Sequence, residues 1–405
     1  MIRDETTRMV VLDDDPTGIQ TVHGCCLLTS WDVKTVREAL RDKVPFFYML
    51  TNTRAMTQLE ASQVIEDAME TVIEANRESG FRMIYVSRSD SCLRGHFPLE
   101  TDVMQHVLRR HGIEIWHPVP FIPAFIEAGR VTVGGTHFMR ENGRLVPLSQ
   151  TEFANDNVFG YTTSVLCEYI REKGANPDDY EIVDAENYGQ LSAYTDQLLA
   201  QTASFDGAVV IRSSSSLPKA ISGISEQPLL GKEIIRNKSG VGCFVVGSHV
   251  QKTTRQLKAL LSADGIRGIE VDVMRILDED KQLFGEILSQ MSEAETGGYT
   301  PVVYTSRQEI RLSDTGQRQK LGKTVSDFLV SLVAEMPFTP SYLVAKGGIT
   351  SHDILTKGLH VRSATVLGQI VANVPCVMTD RFPYIIFPGN VGDDNSLRDV
   401  YEQLR

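Results

Sequence analysis

Three consecutive aspartates, Asp13 to Asp15, directly follow an apolar run in the stretch MVVLDDDPTGIQ, residues 9–20. Adjacent carboxylates repel one another and raise one another's pKa. They are tolerated where water solvates them, at a helix start, or at a site that needs negative charge. Carboxylates accept hydrogen bonds from hydroxyl groups, and one of them can act as a general base. The pattern therefore indicates either a capped helix start, with Asp15 or Thr17 as the cap, or a site for a hydroxylated ligand.

A second polar cluster follows another apolar run in the stretch SRSDSCLRGH, residues 87–96. Within ten residues it offers charged and hydroxyl side chains: Arg88, Asp90, Ser91 and Arg94. An arginine can bind a carboxylate through two parallel hydrogen bonds, while aspartate and serine suit hydroxyl groups. A third polar stretch, TNTR at residues 51–54, also ends an apolar run. Together with Asp14 and Asp15, these residues predict a site for a small polyhydroxy acid, although Arg94 could instead pair with surface acids.

Three glycine-containing stretches in the second half of the chain have the same position between an apolar run and a helical pattern. They are VVGSHVQKTT (245–254), AKGGITSHD (345–353) and IIFPGNVGDDNSL (385–397). Glycine lets the backbone approach a ligand closely, and free N–H groups at a helix start favour phosphate. One such loop would be weak evidence because glycine is common in turns, but three predict a nucleotide or phosphate pocket. Its candidate binding residues are Ser248, Lys346, Gly347, Gly348, Thr350, Ser351, Gly389, Asn390 and Gly392; for Lys346 an ordinary strand-end lysine is the alternative.

The elements that must position these residues are strands and helices in alternation. Continuous apolar strands alternating with amphipathic helices predict parallel sheets with both faces covered. Residues 121–200 look looser, and the stretch 218–242, rich in Gly, Ser and Pro, is the expected boundary. We therefore predict two tandem three-layer α/β domains with mainly parallel sheets and a cleft between them, at 1–225 and 240–405. In such sheets ligands bind beyond the carboxyl ends of the strands, where all the candidate residues stand.

Composition excludes several classes of protein. The 405 residues carry a net charge of −12 and contain no long apolar run, which argues against a nucleic-acid or membrane partner. The six cysteines form no CxxC pair and the nine histidines no HExxH motif, so we expect reduced thiols in a cytoplasmic protein without a dedicated zinc site. The stretch GQRQKLGKT (316–324) has one residue too many for a P-loop. A dinucleotide-binding GxGxxG after a strand is also missing, which disfavours a dehydrogenase.

The motifs together resemble those of the four-carbon acid sugar kinases, ATP-dependent kinases of threonate, erythronate and related 2-oxo acids. DDDPTG resembles the family's DDxTG, which places its two acids at Asp14 and Asp15, and SRSDSCLRGH is similar to its KIDSTLRGN. FIPAFIEAGR, GSHVQKTTRQL, KGGITS and FPGNVG resemble further family motifs, so the likeness covers essentially the whole chain. Three departures stand out: Arg88 replaces a common lysine, Pro16 lies inside the acidic motif, and Phe387-Pro388 replaces Lys-Ser.

The resemblance implies a sugar-acid site in the first domain, ATP with Mg²⁺ in the second, and phosphoryl transfer across the cleft. We therefore predict an ATP-dependent kinase that phosphorylates a hydroxyl of a small sugar acid or oxo-sugar acid. Asp14 or Asp15 would be the general base, and the sequence does not rank the two. A non-catalytic sensor of sugar acids and nucleotides is the alternative. The oligomeric state stays open, and a homodimer would be unsurprising.

Overall fold

The computed structural model describes residues 2, 5–307 and 315–405. It divides the chain into two compact units, Met1–Glu226 and Gln227–Arg405. Each unit is built from a mainly parallel sheet with helices between successive strands. This confirms the α/β class and the two-domain architecture that the sequence predicts. None of the described helices has the length and apolar character that crossing a lipid bilayer requires.

The first unit contains a parallel sheet and a smaller antiparallel one. Its strands are β1 (Thr7–Asp13), β2 (Cys26–Leu28), β3 (Phe46–Leu50), β4 (Arg82–Arg88), β5 (Val119–Ile122), β6 (Arg130–Val133), β7 (Thr136–Glu141), β8 (Arg144–Pro147), β9 (Tyr180–Ile182) and β10 (Val209–Ser213). Its helices are α1 (Val33–Leu40), α2 (Gln58–Asn76), α3 (Leu99–Arg110), α4 (Leu166–Glu172), α5 (Tyr188–Gln201) and α6 (Ser216–Ser222). The parallel sheet has the order β2-β3-β1-β4-β10-β5-β9.

Strand β1 shows why this sheet is buried on both faces. Val10 and Leu12 belong to a hydrophobic core that also contains the buried faces of α1, α2 and α3. Met9 and Val11 point to the opposite face, because side chains alternate along a strand, and they are completely buried as well. Continuous burial of this kind needs helices on both sides of the sheet, which accounts for the unbroken apolar run in the sequence.

The strand order of the first unit brings three polar loops together. β1 lies between β3 and β4, so the chain winds to one side of β1 first and to the other side afterwards. In the registers of the two pairings, Asp13 is opposite both Leu50 and Arg88. The loops that follow these three residues therefore leave the sheet side by side, at the switch point where open α/β sheets bind ligands.

Residues 121–200 are more regular than the sequence suggested. They contain the antiparallel sheet β6-β7-β8, together with α4, β9 and α5. The strands of this small sheet have four to six residues and are largely half-buried or exposed. Their side chains consequently show neither the continuous apolar run of a buried strand nor a clear alternation.

The second unit repeats the arrangement and adds an antiparallel edge. Its strands are β11 (Cys243–Val246), β12 (Ile266–Val271), β13 (Thr300–Thr305), β14 (Leu343–Lys346), β15 (Ser363–Val371), β16 (Val374–Met378) and β17 (Pro383–Phe387). Its helices are α7 (Gln251–Leu261), α8 (Val273–Leu277), α9 (Lys281–Thr296), α10 (Thr315–Ala334), α11 (Gly348–Asp353) and α12 (Ser396–Leu404). The strand order is β12-β13-β11-β14-β17-β16-β15, and β16 is antiparallel to both of its neighbours.

The second unit also has a switch point. β11 lies between β13 and β14, and β14 pairs with β17 on its other side. Lys346 is opposite both Val246 and Phe387 in these pairings. The three glycine-containing loops thus follow three adjacent parallel strands at the same edge of the sheet.

Candidate functional site

Asp14 lies at the centre of the charged cluster in the first unit. Its Oδ1 accepts hydrogen bonds from Arg54 Nη2 at 2.6 Å and Arg88 Nη1 at 3.4 Å. Its Oδ2 accepts from Arg54 Nε at 3.0 Å and from the Ser89 hydroxyl at 2.7 Å. Four donors use the lone pairs that a carboxylate offers, and the side chain is only 1% exposed. Asp14 therefore has little capacity left for a ligand.

Asp15 has a more open position. Its side chain is 21% exposed, and its Oδ2 is 3.5 Å from Arg54 Nη1. Its Oδ1 accepts from the Thr17 backbone N–H at 2.8 Å and from the Thr17 hydroxyl. Burial by itself would raise the pKa of Asp15, but the charges of Arg54 and Arg88 and the Thr17 hydrogen bonds outweigh it and hold the pKa below its usual value. Asp15 is thus an ionised acceptor within reach of solvent.

Asp13 is enclosed beneath the other two acids. Its Oδ1 accepts from Arg88 Nη1 at 3.0 Å, and its Oδ2 has no hydrogen-bond partner in the part of the chain that the structure describes. Burial raises the pKa of Asp13 to about 7, against the attraction of Arg88. A Cβ atom at position 18 would lie 2.1 Å from either Asp13 oxygen, so only glycine fits there.

Asp90 and Arg94 form a second pair in the same unit. Arg94 Nε donates to Asp90 Oδ2 at 2.5 Å, and Arg94 Nη1 lies 3.7 Å from Asp156 Oδ2. Burial would raise the pKa of Asp90, but Arg54 and Arg94 lower it to about 2. The Arg94 side chain is 26% exposed. Its guanidinium can therefore bind a ligand while one edge stays fixed by Asp90.

Ser91 and Gly95 show how the segment between these residues is held. Ser91 is 5% exposed, and its carbonyl oxygen lies 2.9 Å from His137 Nε2. Gly95 has a φ of +122°, and a Cβ there would be 2.4 Å from the Ser89 hydroxyl and 3.2 Å from Asp14 Oδ2. Glycine at position 95 is thus required both by the backbone and by the packing against Asp14.

The structure brings most of the predicted acid-site residues together around one side chain that the sequence did not single out. Arg54 contacts Asp14 and Asp15 directly, and its charge is the main influence lowering the pKa of Asp90 against burial. Arg54 belongs to the strand-end stretch TNTR. The sequence signal for Arg54 is its position directly after a strand. To select Arg54 as a site residue one must also know that this strand, β3, lies next to β1 in the sheet.

In the second unit, the first two glycine loops pack against each other. Gly347 has a φ of +119°, and a Cβ there would lie 3.3 Å from both Ser248 Cβ and Thr350 Oγ1. A Cβ on Gly247 would lie 2.3 Å from Thr350 Oγ1. The backbone N–H groups of Gly348, Ile349 and Thr350, the first turn of α11, have no acceptor among the described residues. Such N–H groups form a ready anion site.

Three predicted nucleotide-site side chains make hydrogen bonds inside the unit. Ser351 Oγ donates to the carbonyls of Ala345 and Gly347, and Ser248 Oγ accepts from Thr253 Oγ1 at 3.0 Å. Lys346 is fully buried, and its Nζ donates to the carbonyls of the third loop, Pro388 at 2.5 Å and Gly389 at 3.1 Å. Burial, followed by the nearby charge of Lys252, lowers the pKa of Lys346 to about 7.

The described residues contain no group of three or more His, Cys, Asp or Glu side chains placed to hold a metal ion. Mg²⁺ on a nucleotide usually takes only one or two protein carboxylates, and phosphate oxygens and water complete its shell. The donors that the glycine loops of the second unit offer are mainly backbone N–H groups, and such donors fit the phosphates of a nucleotide.

The fold and the two sites define a protein with separate sugar-binding and nucleotide-binding domains. Residues 9–211 match the model of a sugar-binding N-terminal domain, and residues 243–397 match that of a nucleotide-binding C-terminal domain. The chain belongs to the family built from these two domains, the four-carbon acid sugar kinase family. The resemblance that the motifs indicated is confirmed at the level of the family.

Two solved structures share the fold over nearly the whole chain. A Haemophilus influenzae protein of the DUF1537 family is 16% identical with a TM-score of 0.65, over 98% of this chain and 100% of that one. A Salmonella typhimurium protein, provisionally described as a tRNA synthase, is 18% identical with a TM-score of 0.69 over the same shares. At these identities the similarity shows the fold alone. No curated protein matches the chain.

Proposed function

We propose that the protein is a kinase that transfers the terminal phosphoryl group of ATP to a hydroxyl of a small sugar acid or oxo-sugar acid. The observation that carries the proposal is the partly exposed, ionised Asp15 beside arginines at one switch point. The second requirement of such a kinase is a set of donors for the nucleotide phosphates, and the loops at the other switch point offer free backbone N–H groups for this.

The acid would be recognised by complementary charge and hydrogen bonding. Arg94 retains guanidinium N–H groups for the substrate carboxylate, since its hydrogen bond to Asp90 uses only Nε. Asp15 would accept a hydrogen bond from the hydroxyl that attacks, and it can take up the proton as that hydroxyl reacts. Asp14 is the weaker candidate for the base, because its four donors already occupy it.

The nucleotide would be held through its phosphates. The N–H groups of Gly348, Ile349 and Thr350, together with those of the loop from Gly389 to Gly392, provide donors without introducing a competing negative charge. Bound ATP·Mg²⁺ would supply the phosphoryl group. Catalysis of phosphoryl transfer is mainly positioning and charge stabilisation, which suits the fixed backbone donors of the second unit and the ionised, partly exposed Asp15 of the first.

A panel assay tests the proposal. The purified chain is incubated with ATP, Mg²⁺ and each of a set of aldonates and oxo-acids, and ADP release and phosphorylated product are measured, with Asp15→Asn as the control. We expect at least one acid to be phosphorylated by the wild type, far more slowly by the variant. Failure of a folded sample to bind ATP or ADP in calorimetry would refute the kinase. Binding of both ligands without turnover would instead identify a sensor.

A further inference from the structure

The third glycine loop of the second unit, residues 388–393, has its carbonyl groups bound by side chains from outside the loop. Lys346 Nζ donates to the carbonyls of residues 388 and 389, and Thr253 Oγ1 lies 3.3 Å from the latter. Lys252 Nζ donates to the carbonyl of residue 390 at 3.1 Å. Gln256 Nε2 donates to the carbonyls of residues 391 and 393, at 3.0 and 2.7 Å.

This pattern determines where the N–H groups of the loop point. In a trans peptide the C=O and N–H bonds of the same unit are planar and point in opposite directions. The carbonyls of residues 388 to 391 all accept from side chains, so the N–H groups of residues 389 to 392 point away from those side chains. None of these four N–H groups has an acceptor in the described part of the chain. Successive N–H groups directed to one side form a concavity that binds anions.

The side chains that bind the carbonyls are costly to bury, which argues that they do more than fill space. Thr253, Gln256 and Lys346 are each 0% exposed. The hydrogen bonds given above for the Lys346 ammonium go to carbonyl oxygens and not to a carboxylate, so its positive charge is not neutralised by them. When it is protonated, the Lys346 amine on the carbonyl side of the loop also adds to the attraction for an anion on the N–H side.

We propose that Lys252, Thr253, Gln256 and Lys346 are positioning residues that orient the loop so that its N–H groups bind nucleotide phosphate. The inference rests on the proposed function and deepens it. It also gives Lys346 a role different from the two that the sequence left open, direct phosphate binding and an ordinary strand-end lysine: its amine acts through the loop. The stretch VQKTTRQL supplies three of the four residues, and all three lie in one helix, α7.

The test compares Gln256→Met with Gln403→Met. Methionine has nearly the length of glutamine but no donor, so Gln256→Met frees two loop carbonyls. Gln403 is a matched control, since its Nε2 makes one hydrogen bond to the carbonyl of Leu230 in the same unit, away from the loop. ADP affinity is measured by calorimetry and the melting temperature without ligand by scanning calorimetry. We expect Gln256→Met to weaken ADP binding about tenfold or more and Gln403→Met to leave it unchanged.

A second pair of variants separates positioning from folding. Thr253→Ser keeps the hydroxyl and should retain ADP affinity, whereas Thr253→Val should lower it several-fold at a similar melting temperature. The inference is overturned if the Gln256 and Thr253 variants melt earlier but bind ADP as the wild type does, and equally if Ser and Val at position 253 behave alike. These results differ from failure of the proposed function, in which the wild type itself binds no ADP. Should Gln256→Met not fold, the Thr253 pair decides the question alone.

Discussion

Arg54 holds Asp14 through two parallel hydrogen bonds, Nε to Oδ2 at 3.0 Å and Nη2 to Oδ1 at 2.6 Å. This bidentate geometry is the strongest form of arginine–carboxylate pairing. The third nitrogen of the same guanidinium faces Asp15 at 3.5 Å. One arginine thereby gives two adjacent aspartates different roles: Asp14 is fixed within the protein, and Asp15 stays available.

The two aspartates should respond differently to the same substitution. Asp14→Asn removes a buried charge that pairs with the buried Arg88 and the half-buried Arg54, so we expect the free energy of unfolding in urea to fall by about 3–5 kcal/mol. Asp15→Asn should change it by no more than about 1 kcal/mol, because the side chain is partly exposed, while kcat falls strongly. A stable Asp14→Asn variant with the larger loss of kcat would reverse the assignment of the base.

Arg94→Ala should weaken recognition of the acid without affecting the nucleotide. Loss of a charge-assisted pair costs about 1.5–3 kcal/mol, so the KM for the acid should rise about tenfold or more. Calorimetry should give an unchanged ADP affinity. Arg110→Ala is the control, since Arg110 forms exposed ion pairs with Glu66 and Glu70. In this variant the KM for the acid and the affinity for ADP should both stay the same. Loss of ADP binding with retention of the acid would mean that the two units have the opposite functions.

The buried Asp13 should make stability depend on pH. Its pKa is about 7 in the folded chain against 3.8 for the free side chain, so the folded state binds more protons between these values. The contribution of Asp13 to stability is therefore full below about pH 4 and is lost as the pH rises through about 7. Asparagine has no ionisable group here, so Asp13→Asn does not lose this stability. The free energy of unfolding of the variant, measured relative to the wild type, should therefore rise by about 2–4 kcal/mol as the pH rises through this range.

Urea unfolding of both proteins at about pH 5 and about pH 8 checks this expectation. The exposed Asp67→Asn in α2 serves as the control, and its difference from the wild type should not vary in the same way. A constant difference between Asp13→Asn and the wild type across the range would show that Asp13 is already ionised at low pH.

Gly347→Ala should abolish nucleotide binding. The residue has a φ of +119°, which is unfavourable for any side chain, and the added Cβ would press on Ser248 and Thr350. Gly285→Ala is a matched control in the same unit, because a Cβ there meets no atom within 4 Å and alanine favours its helix, α9. We expect ADP titrations to show binding by the control and none by Gly347→Ala. Normal ADP affinity of a folded Gly347→Ala variant would place the phosphates elsewhere.

The sequence by itself determined the fold class and the strand ends at which both candidate sites lie. Unbroken apolar strands alternating with amphipathic helices predict a mainly parallel sheet with two covered faces, and both units are built from a mainly parallel sheet with helices between its strands. In such a sheet polar and glycine-rich residues after the strands must meet at the carboxyl edge. The stretches at residues 13–18, 87–96 and 345–353 could therefore be chosen from local patterns alone.

Only the tertiary structure decided how deeply the individual residues are buried and which partners they contact. Asp14 acquires its partners from residues 40 and 74 positions away, and its burial follows from the order of β3, β1 and β4, which local patterns do not encode. Lys346 is a candidate phosphate ligand in the sequence, yet the loop that follows the adjacent strand β17 places the carbonyls of Pro388 and Gly389 against its ammonium. Burial and partner choice are properties of strand order and register, and both arise from contacts between distant parts of the chain.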